Sequence, residues 1–328
     1  MFKGFACLKA GAAALALSAA LVASAEAKVR IAFGDIASVE SLHLLTALER
    51  AKEKGVDIEV TYLKSEDIAA QAVVGGQADI GVGGPYALVQ KVKAPIRMFL
   101  QLSTLRFYPA VNSEFYKTWK DLNGQEVAVH SRGSGTEAIM KLMEQRQGIK
   151  FSKISYIPGS EVRTGALLQG NVKATIVDAA GRRLLETQAP GKFIILPLEG
   201  VNATDEALFA NQAFLEKNAE DVDKIVESIL TTWREVTNNP AVVAEWRTKY
   251  KLLPDLPASQ VAEIVPYFTE LAKGKAFPLN GGGAAAAKDD FAFYTLSGQL
   301  TGDPASLKVE DFWDTRSLDR VLAKVGTM

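Results

Sequence analysis

The residues with the best chemistry for binding lie in one loop, between a short apolar run at 127–129 and a helical pattern that follows it. The loop combines hydroxyl and guanidinium donors with glycines that let a ligand approach the backbone: Ser131, Arg132, Gly133, Ser134, Gly135 and Thr136. Ser134 and Glu137 have the spacing of a capping box, which predicts that a helix begins here and presents free N–H groups to an anion. A purely structural turn between strand and helix is the alternative.

The rest of the chain limits the reactions that are available. The sequence has one cysteine, Cys7, and two histidines, His43 and His130. Cys7 precedes the apolar run at 10–22, so we expect it to leave with a cleaved leader. A thiol nucleophile, a cysteine metal site and a Ser-His-Asp triad are therefore hard to assemble. We predict no catalytic residue, no metal site and no cofactor.

Composition favours a small partner and more than one domain. Lys and Arg number 37 against 38 Asp and Glu, giving a formal net charge of −1, so no basic field indicates nucleic acid. The chain is 328 residues long and 48% hydrophobic, which is ordinary for a globular protein but long for a single core. We expect two domains and a small-molecule ligand.

The first residues have the pattern of an export signal. Lys3 and Lys9 precede the apolar run at 10–22, and small residues follow at Ala23, Ala25 and Ala27. A charged start, a short apolar middle and a small-x-small exit are typical of a secretory signal peptide. We predict a cleaved signal peptide at 1–27 and a periplasmic mature protein. A retained anchor helix is the alternative, although the run is short for a membrane span.

Strand and helix patterns alternate twice along the chain. Short β-like runs and amphipathic segments alternate from 29 to 102 and again from 127 to 196, and helical patterns dominate after about 202. Ala72–Ala78 and Ala166–Val172 share the same helix-glycine-strand punctuation, at nearly the same spacing from the start of each copy. Alternating strands and helices predict parallel sheets that bind ligands at the carboxyl ends of their strands. The sequence therefore predicts two similar, doubly wound α/β lobes.

Several stretches together resemble one protein family. They are the helix and strand at 47–60, Val74-Gly75-Gly76-Gln77-Ala78-Asp79-Ile80, the segment 120–129, the segment 166–174, the helix at 218–240 and Asp290-Phe291-Ala292-Phe293-Tyr294. In order and spacing these resemble the nitrate/sulfonate/taurine-type solute-binding proteins of ABC importers. The resemblance implies a type II periplasmic binding fold: two α/β lobes joined by two crossover strands, near 106–112 and 201–211, with a helical C-terminal extension packing on lobe one.

The resemblance also implies boundaries, partners and a ligand site. Lobe one would comprise 28–110 and 206–328, lobe two 111–205, and the protein would be a monomer that delivers its ligand to a membrane permease. Loops after the strands would hold the ligand: Gly34, Asp35, Ser38, Gly83, Gly84, Pro85, Tyr86, Thr104, Arg106, Ser131, Arg132, Ser134, Gly135, Thr136, Asp178 and Arg182. Three arginines and the helix start favour an anionic head group. Lys173 replaces an acidic residue common among relatives, so the ligand's identity stays open.

Two other functions fit parts of the sequence. Gly133-x-Gly135-x-x-Ala138, between a strand and a helix, matches a dinucleotide-binding fingerprint and favours an NAD(P)-dependent oxidoreductase. That fingerprint also requires an acidic residue at the end of the next strand, and none stands there. A ligand-sensing subunit for a membrane receptor would have the same two lobes and a different partner.

Overall fold

The computed structural model describes residues 28–328. The predicted signal peptide at 1–27 lies outside the described residues. Among residues 28–328, no helix combines the length and the apolar character needed to cross a membrane.

The described part of the chain alternates strands and helices. The strands are β1 (Val29–Phe33), β2 (Ile58–Tyr62), β3 (Ile80–Gly83), β4 (Ile96–Gln101), β5 (Tyr108–Asn112), β6 (Glu126–Val129), β7 (Lys153–Tyr156), β8 (Ala174–Val177), β9 (Phe193–Ile195) and β10 (Ala207–Asn211). The α-helices are α1 (Leu42–Glu53), α2 (Glu66–Val74), α3 (Tyr86–Val92), α4 (Gly135–Gln147), α5 (Ser160–Leu168), α6 (Ala179–Gln188), α7 (Gln212–Lys217), α8 (Ala219–Asn238), α9 (Val242–Tyr250), α10 (Ala258–Lys273), α11 (Gly283–Leu296) and α12 (Arg316–Val325).

The strands form two five-stranded sheets with matching topology. The first has the order β2-β1-β3-β10-β4 and the second β7-β6-β8-β5-β9. In the first sheet β10 runs antiparallel to β3 and β4, and in the second β5 runs antiparallel to β8 and β9. The other determined pairings are parallel. The prediction of two α/β lobes is confirmed. We use "first lobe" and "second lobe" for the two sheets with their helices.

Helices cover both faces of each sheet, so the central strands are apolar and buried. Every residue of β3 and β8 is buried, as expected for strands covered on both faces. Gly81 of β3 is needed because a Cβ there would lie 2.1 Å from the ring of Phe209 on β10. In the C-terminal part, the predicted apolar stripe of α8 is buried and packs on α1 and α12.

Two short segments, 102–107 and 196–206, carry the chain between the sheets. They run side by side: Leu105 N–H donates to the Ala203 carbonyl (2.9 Å) and Asp205 N–H to the Ser103 carbonyl (3.0 Å). Helix α11 fixes the second segment, because the buried carboxylate of Asp290 accepts bonds from the backbone N–H (2.6 Å) and the hydroxyl (2.7 Å) of Thr204. The crossings end earlier than expected, since residues from 108 and from 207 already belong to sheets.

Candidate functional site

The two lobes meet across a narrow polar cleft. We call its central part the waist, which is lined by Asp35, Glu40, Glu66, Phe107, His130, Ser134, Gly135, Thr136, Arg163, Asp205 and Glu206. The open volume there is about 20 Å³, which is room for about one water molecule. Wider openings of about 260 and 270 Å³ flank it, one beside α2 and Arg132, the other between α5, α6 and α10. The lobes are therefore closed on each other.

Strand ends of the first lobe place five carboxyl groups at the waist. Asp35 follows β1, Glu40 lies on a single 3-10 turn before α1, and Glu66 begins α2 after β2. Asp205 and Glu206 precede β10. Because β10 is antiparallel to its neighbours, its beginning lies at the edge where the parallel strands end. Residues before β10 and residues after β1 thus reach the same site.

Glu66 packs closely against the backbone of three glycines, Gly34, Gly83 and Gly84. Its Oε2 accepts the N–H of Gly84 at 2.8 Å. A Cβ on Gly34 would lie 2.8 Å from the Glu66 Cα, and one on Gly83, whose φ is +145°, would lie 2.9 Å from its Oε2. These glycines are therefore needed for the approach of Glu66 to the strand ends.

The predicted anion loop forms, but its own groups satisfy it. Helix α4 begins at Gly135 and Ser134 is its N-cap, accepting the N–H of Glu137, as the capping pattern predicts. The Glu137 carboxylate accepts the N–H of Gly133 at 2.7 Å. Ser134 Oγ donates to the Ser131 carbonyl, and Thr136 Oγ1 accepts the His130 N–H at 3.0 Å and lies 2.9 Å from Ser134 Oγ. Fewer donors are left for a ligand than the sequence indicated.

His130 connects the lobes directly. Its Nε2 lies 3.1 Å from the carbonyl oxygen of Gly34 in the first lobe. Its Nδ1 lies 3.3 Å from the N–H of Gly159 and 3.6 Å from Asp35 Oδ2. With Gly159 donating to Nδ1, the neutral Nε2–H tautomer satisfies both partners. Burial lowers the pKa of His130, in agreement with a neutral ring.

Arg163 is the one guanidinium at the waist. It lies on α5 and is only 2% exposed. Its Nε donates to the Ile176 carbonyl at 2.9 Å and its Nη1 to the Ile157 carbonyl at 3.0 Å. Both acceptors are neutral, so no carboxylate bonds directly to this charge through those nitrogens. Arg163 is held rigidly at the cleft with its charge uncompensated by a direct partner.

Burial and crowding shift the titration of the cleft carboxyls. Burial, opposed by the hydrogen bond from the Gly84 N–H and reinforced by the neighbouring Asp205 and Asp35, raises the pKa of Glu66 to about 8. Burial and then Asp35 raise the pKa of Asp205 to about 7. The pKa values of Glu40 and Glu206 are also raised by burial and by neighbouring carboxylates. Near neutral pH some of these carboxyls are therefore protonated, and the net negative charge of the waist is smaller than five.

The structure brings part of the predicted site together. Asp35, Ser134, Gly135 and Thr136 line the waist. Gly34, Ser38, Gly83, Gly84, Pro85, Arg132 and Asp178 contact waist residues or line the two openings. Ser131 is buried and its carbonyl accepts the hydroxyl of the waist residue Ser134. The remaining four lie elsewhere: Tyr86 donates to buried Asp290, Thr104 lines a separate cavity, Arg106 bonds the Leu105 carbonyl, and Arg182 pairs with Glu270 at 3.1 Å. Ligand contact by any of these residues stays a prediction.

Other waist residues were not among the predicted contacts: Glu40, Glu66, Phe107, His130, Arg163, Asp205 and Glu206. A signal exists for Glu66 and His130, which closely follow strands, and for Arg163, a charged residue amid an apolar helix. Asp205 and Glu206 had none, because sequence patterns do not show that β10 is antiparallel.

Comparison with known proteins identifies the family to which the chain belongs. The sequence matches the model of the family described as NMT1/THI5 like over residues 45–242. The chain belongs to the NMT1/THI5-like family. No curated protein sequence matches the chain.

Solved structures of other proteins share the fold of this NMT1/THI5-like chain. A protein of Bordetella bronchiseptica RB50 has a TM-score of 0.73 at 22% identity, covering 91% of this chain and 98% of its own. The periplasmic nitrate-binding protein NrtA of Synechocystis PCC 6803 has a TM-score of 0.66 at 13% identity, covering 91% and 89%. The alkanesulfonate-binding protein SsuA of Xanthomonas axonopodis pv. citri, bound to MOPS, has a TM-score of 0.61 at 14%, covering 88% and 98%. The periplasmic binding fold is confirmed.

Proposed function

We propose that this protein is the periplasmic solute-binding component of an ABC importer, which captures a small solute between its lobes and delivers it to a membrane permease. The observation that carries the proposal is the closed, polar waist between two α/β lobes linked by two adjacent crossovers. A site that contacts both lobes only when they are closed couples binding to closure. The nitrate-binding and alkanesulfonate-binding proteins of the same fold support it.

The rest of the proposal concerns organisation. We infer that lobe one comprises 28–110 and 206–328 and lobe two 111–205, except that residues 108–110 belong to β5 of the second sheet. We also infer that export removes residues 1–27 and that the protein works as a monomer without catalysis. The fold of periplasmic proteins supports export. A retained Met1 in the intact mass of protein from the periplasm would contradict the leader prediction.

The oxidoreductase alternative is disfavoured by the loop itself. A dinucleotide would need the N–H groups around Gly133 for its pyrophosphate. The carboxylate of Glu137 already accepts the Gly133 N–H, and it also accepts the hydroxyl of Tyr156 at 2.8 Å. An anionic side chain therefore holds the position that a pyrophosphate would need.

The test of the importer function uses a candidate ABC permease and its ATPase from the same organism. These are reconstituted in liposomes, and ATP hydrolysis is measured with and without the mature protein. We expect a several-fold stimulation that the Gly135→Val variant reduces, since its side chain would collide with Leu105 and Asp205 across the cleft. Gln169→Val, on an exposed position after α5, is the matched control. No stimulation by the wild-type protein would contradict the importer function, and a receptor partner would then be sought.

A further inference from the structure

The waist has opposite charges on its two sides. The first lobe contributes five carboxyl side chains, those of Asp35, Glu40, Glu66, Asp205 and Glu206. The second lobe contributes the guanidinium of Arg163 and the first turn of α4. Within the described residues, the one ion-pair contact of these five carboxylates is that of Asp35 with His130, whose ring is neutral in its observed bonding. Among the described residues, the first lobe therefore presents a group of carboxyls that no charged protein cation pairs with directly.

Two buried nitrogen groups beside the carboxylates lack full partners. Arg163, 2% exposed, has its Nε and Nη1 on carbonyl oxygens, and no bond from its Nη2 to a described residue is found. His43, 8% exposed, has an Nδ1 without a hydrogen-bond partner and lines a small cavity of about 10 Å³ together with Glu40 and Glu206. Buried polar groups are usually paired, so His43 Nδ1 points to a missing partner, whereas Arg163 Nη2 can bind an acceptor in the cleft.

The arrangement does not suit a metal ion. Among residues 28–328, no group of three or more His, Cys, Asp or Glu side chains is placed to hold one. The five carboxyl groups come from three stretches of chain, the connection between β1 and α1, the start of α2 and the residues just before β10.

We propose that the ligand is a small organic molecule with a protonated nitrogen, held by the first-lobe carboxylates, and with an acceptor such as a carboxylate or carbonyl that faces Arg163. The inference rests on the proposed function and names the solute class for it. It combines the expected anionic group, which the second lobe can bind, with a cationic group that the sequence did not indicate. A purely anionic solute would meet five carboxyl groups in a closed space.

Burial explains why a cation fits this site. Without one, crowded carboxylates take up protons, as the raised pKa values of Glu66 and Asp205 indicate. A protonated nitrogen replaces those protons and forms charge-assisted hydrogen bonds, which are stronger than neutral ones. The waist volume of about 20 Å³ means that the lobes must separate slightly for a ligand larger than water.

The sign of the electrostatic potential at the waist can be measured without knowing the ligand. The chain from residue 28 onward contains no cysteine, so Phe107→Cys places one thiol at the waist. Its thiolate attacks the thiosulfonate sulfur of a charged methanethiosulfonate reagent, forming a disulfide and releasing methanesulfinate. Rates are compared for the cationic trimethylammonium-ethyl and the anionic sulfonatoethyl reagents. Gln169→Cys is the exposed control, and Ser38→Cys replaces Phe107→Cys if that variant fails to fold.

We expect the ratio of cationic to anionic rates at the waist to exceed that at the control by at least about tenfold, and to fall at least about threefold when Glu66→Gln and Glu206→Gln are added. A ratio equal to the control, or no reaction with the cationic reagent, overturns the proposal.

Matched three-carbon probes test the ligand class. Thermal melts are recorded with propylamine, β-alanine and propionate in phosphate buffer at equal ionic strength. We expect the two amines to raise the melting temperature, β-alanine more, with a shift at least halved in Glu206→Gln. Stabilisation by propionate alone, or by none of the three, overturns the solute class. The importer function is decided separately by the ATPase measurement.

Discussion

The titration of Glu66 gives the sharpest test of how the cleft is built. Burial raises its pKa from an ordinary 4.5 to about 8. The folded protein therefore keeps this proton to a higher pH than the unfolded chain does. The contribution of Glu66 to the free energy of unfolding is fully present below about pH 4.5 and is lost as the pH rises to about 8.

The structure bounds the size of the effect. At 1.36 kcal/mol per pKa unit, a pKa change from 4.5 to about 8 sets an upper limit of about 5 kcal/mol. The Gly84 N–H stabilises the anionic form, and the partly exposed side chain borders the cleft, so we expect about 1 to 2 kcal/mol. Glu66→Gln fixes the uncharged form and keeps an acceptor for Gly84. The variant should match the wild type near pH 4 and be more stable by that amount near pH 8.5.

Urea unfolding followed by tryptophan fluorescence, at several pH values between about 4 and 9, measures this difference. Amine buffers are avoided, because the proposed ligand carries an amine, and the protein is refolded first to remove bound solute. Glu245→Gln, at an exposed position on α9, is the control and should show no pH-dependent difference. A stability difference for Glu66→Gln that is the same at every pH would refute the buried, protonated state of this carboxyl.

Three further predictions concern packing and closure. Gly135→Ala places a Cβ 2.3 Å from Leu105 Cδ2. It should weaken ligand binding about tenfold and reduce the compaction of the protein on ligand binding in small-angle scattering. Adding Leu105→Ala should restore both the affinity and the compaction. Gly81→Ala collides with the buried ring of Phe209 and should lower the free energy of unfolding by about 1 to 3 kcal/mol, partly restored by Phe209→Leu; an unchanged urea midpoint would contradict this. Glu270→Ala removes the partner of two arginines on α6; because such half-exposed pairs contribute about 1 kcal/mol or less, calorimetry should show affinity reduced a few-fold, and tighter binding would be the wrong sign.

Local patterns predicted the elements of this fold well. The helix start at Ser134, the apolar stripe of α8 and the repeated strand-helix order all follow from spacing within about twenty residues. Such signals depend on backbone donors and on periodic burial, which a single sequence shows directly.

The site was harder to predict, because its residues meet through topology. Arg163 and Arg182 look alike in sequence, yet one reaches the cleft and the other pairs with Glu270 on the distant helix α10. Asp205 and Glu206 join the waist only because β10 reverses direction. The anion loop was predicted correctly as a helix start, but its donors are taken by Ser134, Thr136 and Glu137, which a count of donors does not reveal.

Closure and charge are linked in this protein. Closing the lobes brings the carboxylates of the first lobe against the second, where water is scarce and their repulsion is strongest. The His130–Gly34 contact and the pairing of Glu270 with α6 favour closure, and the crowded carboxylates oppose it. A ligand that supplies positive charge to the first lobe and an acceptor to Arg163 offsets this repulsion when the lobes close around it, at a separation slightly wider than that of the empty waist. Such a ligand shifts the equilibrium by its differential affinity for the two states, so the acidic waist selects the solute and makes closure depend on it.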